Sequence, residues 1–123
     1  MGIEKFLDDA FKDEYQVKNK EKIRIVKDIQ TNGRLVLFDY TGFMMYLKES
    51  EWDHVTESSR GLVLDIETKR VIALPFQKFF KIPKGRISEL KSEEIALITE
   101  KADGDLGIAF FDPIQKKWRA NTR

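Results

Sequence analysis

Gln30-Thr31-Asn32-Gly33 stands between two runs rich in apolar and β-branched residues, Lys22 to Asp28 and Arg34 to Tyr40. Asn-Gly between such runs is the strongest short-range sign of a β-hairpin, because both residues tolerate the positive φ of a tight antiparallel turn. The pattern returns twice. Arg60-Gly61 opens the run Leu62 to Ile66, Glu67-Thr68-Lys69 supplies a turn, and Arg70 to Phe76 comes back. Asp105 to Phe111 and Lys117 to Thr122 form a third pair, joined by Asp112-Pro113-Ile114-Gln115-Lys116. Pro75 has no N–H for a ladder and is expected at a sheet edge or a strand end. Ahead of the hairpins, Ile3, Phe6, Leu7, Ala10 and Phe11 recur with the spacing of one helical face, and charged residues fill the other. These patterns predict an α+β fold of antiparallel sheets with an N-terminal helix.

The remaining segments carry weaker signals. Lys18 to Lys22 reads as a polar connection. The stretch from Phe43 to Asp53 reads as a short helix or irregular crossover, and His54 as an exposed loop histidine without chemistry. Ser88 and Ser92 are candidate caps for a short helix over Ile87 to Ile95, leading into a strand through Ile95-Ala96-Leu97-Ile98. A length of 123 residues suits one domain. With 22 basic and 21 acidic residues the net charge is +1, so any site for a polyanion has to be local. There are no cysteines and a single histidine, which excludes thiolate chemistry and disfavours a zinc site. No apolar run approaches the length of a membrane span and no secretory pattern opens the chain, so the expected setting is cytoplasmic, with no membrane partner.

Two stretches carry chemistry. The first is Glu100-Lys101-Ala102-Asp103-Gly104, with apolar runs on both sides. Gly104 permits a tight turn, and Asp103 places a carboxylate two residues from an amine. A lysine amine attacks only when deprotonated, a state that burial and neighbouring cations favour. The same letters also spell an ordinary hairpin turn. The second stretch, Phe76 to Arg86, interleaves four basic residues with three phenylalanines in eleven positions. Rings that can stack a base beside cations that can hold phosphates suit a nucleotide or nucleic acid. On this segment alone, a strand end with core phenylalanines and solvated lysines is the simpler account.

In combination these stretches are more specific. Arg60-Gly61, then Pro75-Phe76-Gln77-Lys78-Phe79-Phe80, then Lys101-Ala102-Asp103-Gly104 resembles, in order and spacing, the adenylation domain of the phage-type RNA ligase 1 family. Tyr40, after Phe38, is similar to a tyrosine those enzymes place near the nucleotide. Trp118 to Arg123 looks like the start of a further motif, a strand ending in Thr-Arg-Gly. The resemblance runs from the first helix to the last residue. Lys81 and Asp105 depart from it, standing where the family usually has Asn and Ser.

The resemblance implies that residues 1–123 are the N-terminal portion of an adenylation domain, the first half of a ligase/capping-enzyme-type nucleotidyltransferase fold. It implies attack by Lys101 on ATP to form lysyl-AMP, then transfer of AMP to an RNA 5′-phosphate and sealing by a 3′-hydroxyl. Arg60 and Lys78 would neutralise phosphates, Phe80 would stack on adenine, and Tyr40, Glu100, Asp103 and Gly104 would complete the nucleotide site. Mg²⁺ or Mn²⁺ would accompany the ATP. The family's later motifs, a metal-binding carboxylate and further lysines, lie C-terminal to the Thr-Arg strand. The expectation is therefore a shortened gene product, one piece of a split ligase or a cut piece, inactive by itself and dependent on a C-terminal half or on self-association. Phe110, Phe111 and Trp118 are then expected to be exposed. Two alternatives remain open: a non-catalytic remnant or interaction module with weak nucleotide or RNA binding, and a sister nucleotidyltransferase acting on DNA ends or caps.

Overall fold

The computed structural model describes residues 2–80, 95 and 97–122. Helices α1 (Ile3–Ala10) and α2 (Asp13–Lys18) precede strands β1 (Ile23–Lys27) and β2 (Leu35–Tyr40). Helix α3 (His54–Ser58), strands β3 (Arg60–Asp65) and β4 (Arg70–Ala73), and the hairpin β5 (Gly107–Asp112) to β6 (Lys117–Thr122) follow. The first four strands form an antiparallel sheet in sequence order, and β5 and β6 pair only with each other. Among the described residues no helix is long and apolar enough to cross a membrane.

The sheet is covered on both faces, and the period-2 alternation of strands sorts the side chains between them. Val36, Phe38, Leu62 and Leu64 face the helices, where they bury Phe6, Leu7 and Ala10 of α1 and Val55 of α3. The ring of Phe6 meets Phe38 edge to face at 5.1 Å, and burying such a ring is worth about 1.5–3 kcal/mol. Leu35, Val63 and Ala73 face the other way and pack against Ile108 and Phe110 of the hairpin. Residues Ile108, Phe110 and Asp112 alternate inward while Ala109 and Phe111 are exposed. Phe110 therefore departs from the expected exposed surface: its inward position in β5 carries it into the core. Phe111 and Trp118 remain exposed, stacked edge to face at 5.8 Å.

Three further differences are local. The link between β1 and β2 is longer than a two-residue hairpin. Asp28 accepts the N–H and hydroxyl of Thr31, a 3₁₀ turn spans Ile29–Thr31, and Asn32 and Gly33 take the positive φ. The polar stretch before Lys22 begins inside α2, whose C-terminal Asn19 N–H and side-chain amide both bond to Tyr15 O. His54 opens α3 rather than a loop, because Asp53 caps that helix through the Thr56 N–H, and His54 Nε2 stands 2.9 Å from Asp9 Oδ2.

An arginine clasp joins the hairpin to the large sheet. Arg119 of β6 donates to Asp28 at 2.8 and 3.0 Å and to Asp112 at 3.1 Å. Asp112 is wholly buried, and its second oxygen takes the Ile114 and Gln115 N–H groups of the β5–β6 turn. Hydrogen bonding from Arg119 holds the Asp28 carboxyl below the usual carboxylate range. Burial pushes the Asp112 carboxyl up, but the Gln115, Arg119 and Ile114 donors outweigh it and the net direction is down. At the other end, Arg34 forks onto Asp65, which also caps the β3–β4 turn through the Glu67 and Thr68 N–H groups. The Arg34 bonds chiefly hold the Asp65 carboxyl far below the usual range.

Gly61 decides where Arg60 points. Phe38 pairs with Leu62 but Asp39 pairs with Arg60, so Gly61 is the extra residue of a β-bulge. Without it, Arg60 would share the helix face with Leu62. With it, Arg60 shares the opposite face with Asp39. Gly61 has φ +86°, and a Cβ there would lie 2.2 Å from Ile108 Cδ1. Gly61→Ala should thus destabilise the chain by about 1–3 kcal/mol through backbone strain and displacement of β5. An unaltered urea midpoint would show that neither constraint is felt.

Candidate functional site

Beyond β4 the chain runs extended along α3. Lys78 N–H donates to Glu57 O at 2.9 Å and the Gln77 amide to Ser58 Oγ at 3.1 Å, which places Phe79 and Phe80 beside the bulged end of β3. The loop Thr99 to Leu106, entering β5, lies opposite. Two adjoining cavities open between them. One, of about 720 Å³, is lined by Arg60, Phe76, Lys78, Phe79, Glu100, Lys101 and Gly104 among others. The second, of about 620 Å³, has an apolar wall of Met44, Leu47, Trp52 and Phe80. Lys78, Phe79 and Lys101 line both. Cavities of this size suit a small ligand.

Phe79 is the hub of the charged side. Arg60 Cζ lies 5.5 Å from its ring centroid and Lys101 Nζ 6.0 Å, so two cations 41 positions apart in sequence share one ring. Arg60 Nη1 reaches Phe76 O at 3.4 Å, while Arg60 Nε is buried without a hydrogen-bond partner. A guanidinium only partly satisfied on a cavity wall is suited to an incoming anion. Across the second cavity, Trp52 meets Phe80 edge to face at 5.9 Å.

Of the residues singled out in the sequence, Arg60, Lys78, Phe80, Glu100, Lys101 and Gly104 line these two cavities. Asp103 stands exposed in the same turn and lines neither. Gly104 has φ +134° with open space around it, so its requirement is conformational rather than steric. Tyr40 also lies outside both cavities. It is buried against Trp52, edge to face at 4.9 Å, and supports the aromatic wall from behind instead of facing the Lys101 loop. The strand expected before Lys101 is absent among the described residues. Ile95, Leu97 and Ile98 are exposed and hold no ladder partner there, and a strand without a partner gains no ladder hydrogen bonds. The expected helix over Ile87 to Ile95 and the basic stretch Lys81 to Arg86 lie outside the described residues, save for Ile95.

Phe79 and Trp52 are additions that sequence reading missed. Two adjacent phenylalanines carried no sign of which faced the cations, and Trp52 is separated from Phe80 by the whole β3–β4 hairpin. A third cavity, of about 390 Å³, lies between the sheet and β6 and includes Arg119. Its arginine is already engaged by two carboxylates, so it offers an anion little. Among the described residues no group of three or more acidic, histidine or cysteine side chains could hold a metal ion. No known protein family matches the sequence, and neither a curated protein nor a solved structure matches it significantly.

Proposed function

We propose that this chain is the nucleotide-binding portion of an ATP-dependent RNA ligase, in which Lys101 becomes covalently adenylylated. The observation that carries the reading is the convergence of Arg60, Lys78 and Lys101 with Phe79 and Phe80 on two adjoining cavities. One cavity offers aromatic and methionine surface to a base. The other offers cations to a polyphosphate. The Lys101 amine, once deprotonated, attacks the α-phosphorus. A P–N bond forms, the bond from the α-phosphorus to the bridging oxygen breaks, and pyrophosphate leaves with that electron pair. Arg60 and Lys78 neutralise the charge that builds on the phosphates, the kind of preorganised electrostatic help that usually dominates such steps. The AMP then passes to an RNA 5′-phosphate, and a 3′-hydroxyl displaces it. The nucleotide is proposed to arrive with its own magnesium, and no step is assigned to a metal held by the protein.

Trp52 lines the base cavity and reports its occupancy. The chain has two tryptophans, so Trp118→Phe isolates the signal. Titration with ATP should change Trp52 emission saturably, and Phe80→Ala should weaken the affinity by about 1–3 kcal/mol, the loss expected for one stacked base. An unchanged affinity would return Phe80 to a purely structural role. Binding without any covalent label would leave a nucleotide-binding module in place of a transferase.

A further inference from the structure

The β5–β6 hairpin has two unlike faces. Its inner face seats Ile108 and Phe110 on the large sheet and turns Arg119 toward Asp28. Its outer face, set by the same alternation, carries Gly107, Ala109 and Phe111 on β5 and Trp118, Ala120 and Thr122 on β6. The register pairs Phe111 with Trp118 and Ala109 with Ala120, so two rings stand at the turn end of a face otherwise made of small residues. Trp118 is 74% exposed and Phe111 46%, and their rings meet at 72° with centroids 5.8 Å apart. The charges around them are of one sign. Lys116 and Lys117 are exposed, Asp112 is wholly buried, and among the described residues from Gly107 to Thr122 no acidic side chain is exposed.

We propose that this outer face binds single-stranded nucleic acid, with a base stacked on Trp118 and backbone phosphates met by Lys116 and Lys117. Exposed rings on a sheet face, beside cations and away from carboxylates, are what such a strand requires: the rings accept any base and the cations follow the phosphates. The apolar area argues against a protein as the occupant. Two rings exposed to this extent offer roughly 180–300 Å², well short of the ~800 Å² that each partner contributes to a stable interface. The position suits the chemistry at Lys101. The loop that carries Lys101 runs directly into β5, and Phe111 lies about 14 Å along that strand from Gly107 at ~3.4 Å per residue. The inference rests on the ligase reading above and deepens it, giving the strand that receives AMP a point of attachment apart from the nucleotide cavities. Stacking and phosphate contacts do not read the 2′-hydroxyl, so the face takes RNA and DNA alike.

The test follows the fluorescence anisotropy of a labelled, 5′-phosphorylated single strand of about twelve nucleotides, as RNA and as DNA, titrated with the full 123-residue chain. Trp118→Ala and Phe111→Ala should each weaken binding of both strands about tenfold, the scale of one lost stacked base. Lys116→Met and Lys117→Met should each flatten the dependence of log affinity on log salt by about 0.7, the share of one single-strand phosphate contact. ATP affinity read at Trp52 in Trp118→Ala should match that in Trp118→Phe, since neither substitution touches the nucleotide cavities. Oligonucleotide affinity that is unchanged in Trp118→Ala, or absent from the parent chain, overturns the proposal, and the ATP titration then judges the nucleotide reading by itself. A loss seen with one kind of strand and not the other overturns the claim that stacking and phosphate contacts carry the binding. A parent chain that self-associates in light scattering and becomes monomeric as Trp118→Ala gives the face to a second copy, which also overturns it. ATP and oligonucleotide binding lost together in Trp118→Ala would put both at one site and defeat the separate face.

Discussion

Arg119→Met should detach the β5–β6 hairpin from the large sheet and cost about 3–5 kcal/mol, the range for breaking a buried ion pair by removing one partner. The arginine is nearly enclosed, with a side-chain exposure of 15%, against 0% for Asp112 and 20% for Asp28. Its removal strands a wholly buried carboxylate that keeps only two backbone donors from its own turn. It also cuts the one side-chain ion pair that, among the described residues, reaches from β6 to the β1–β2 connection. Loss of the hairpin uncovers Leu35, Val63 and Ala73, so the damage spreads into that face of the sheet. Amide hydrogen exchange resolves the order of events. Protection should fall across Ile108 to Asp112 and Lys117 to Thr122 before it falls at Val36 to Phe38, whose helix-side core is separate. Equal loss in both regions would mean that the sheets unfold as one body. No loss in either would mean that the clasp contributes only geometry.

Lys101→Ala should abolish covalent labelling by ATP. The chain would be incubated with ATP labelled at the α-phosphorus, Mg²⁺, and a segment supplying the carboxylate and lysines that the RNA ligase resemblance places after the Thr-Arg strand. Label attached through a P–N bond is lost in acid and survives alkali, which separates it from a phosphoester. Lys101→Arg should fail as completely, since a guanidinium keeps its proton and cannot serve as the nucleophile. ATP binding read at Trp52 should change far less than labelling in Lys101→Ala, because Arg60 and Lys78 still line the cavity proposed for the phosphates. Label persisting in either variant would transfer the covalent role to another side chain and end the assignment of Lys101. Arg60→Ala supplies a useful contrast: it leaves the nucleophile in place and should slow labelling without moving it to another residue.

Much of the architecture is legible in local pattern. The helix stripe from Ile3 and the alternating runs around Asn32-Gly33, Thr68 and Ile114 name α1 and all six strands, since a strand or helix with one apolar face declares its period over a handful of residues. Pro75 lies just beyond the end of β4, an edge strand, where a missing N–H costs nothing. The exposed turn at Lys101 to Gly104 is likewise local, because Gly104 carries its positive φ by itself. The short helices α2 and α3 are not legible in this way, since a single turn or two shows no period.

Tertiary structure alone decided the remainder. Gly61 reads as one more glycine until the pairing of Asp39 with Arg60 makes it a bulge and turns Arg60 toward the cavities. Phe110 and Phe111 are chemically identical neighbours, and only the seating of the hairpin on Leu35 and Val63 sends one inward and leaves the other in water. Tyr40 sits at the end of a strand in both readings, but the return of Trp52 over it is what buries it. Arg119 meets Asp28 across 91 positions, and Lys101 meets Phe79 across 22. Such contacts depend on how sheets and loops pack after each element has formed. A strand's period says which side chains share a face, but not what the rest of the chain will lay against that face.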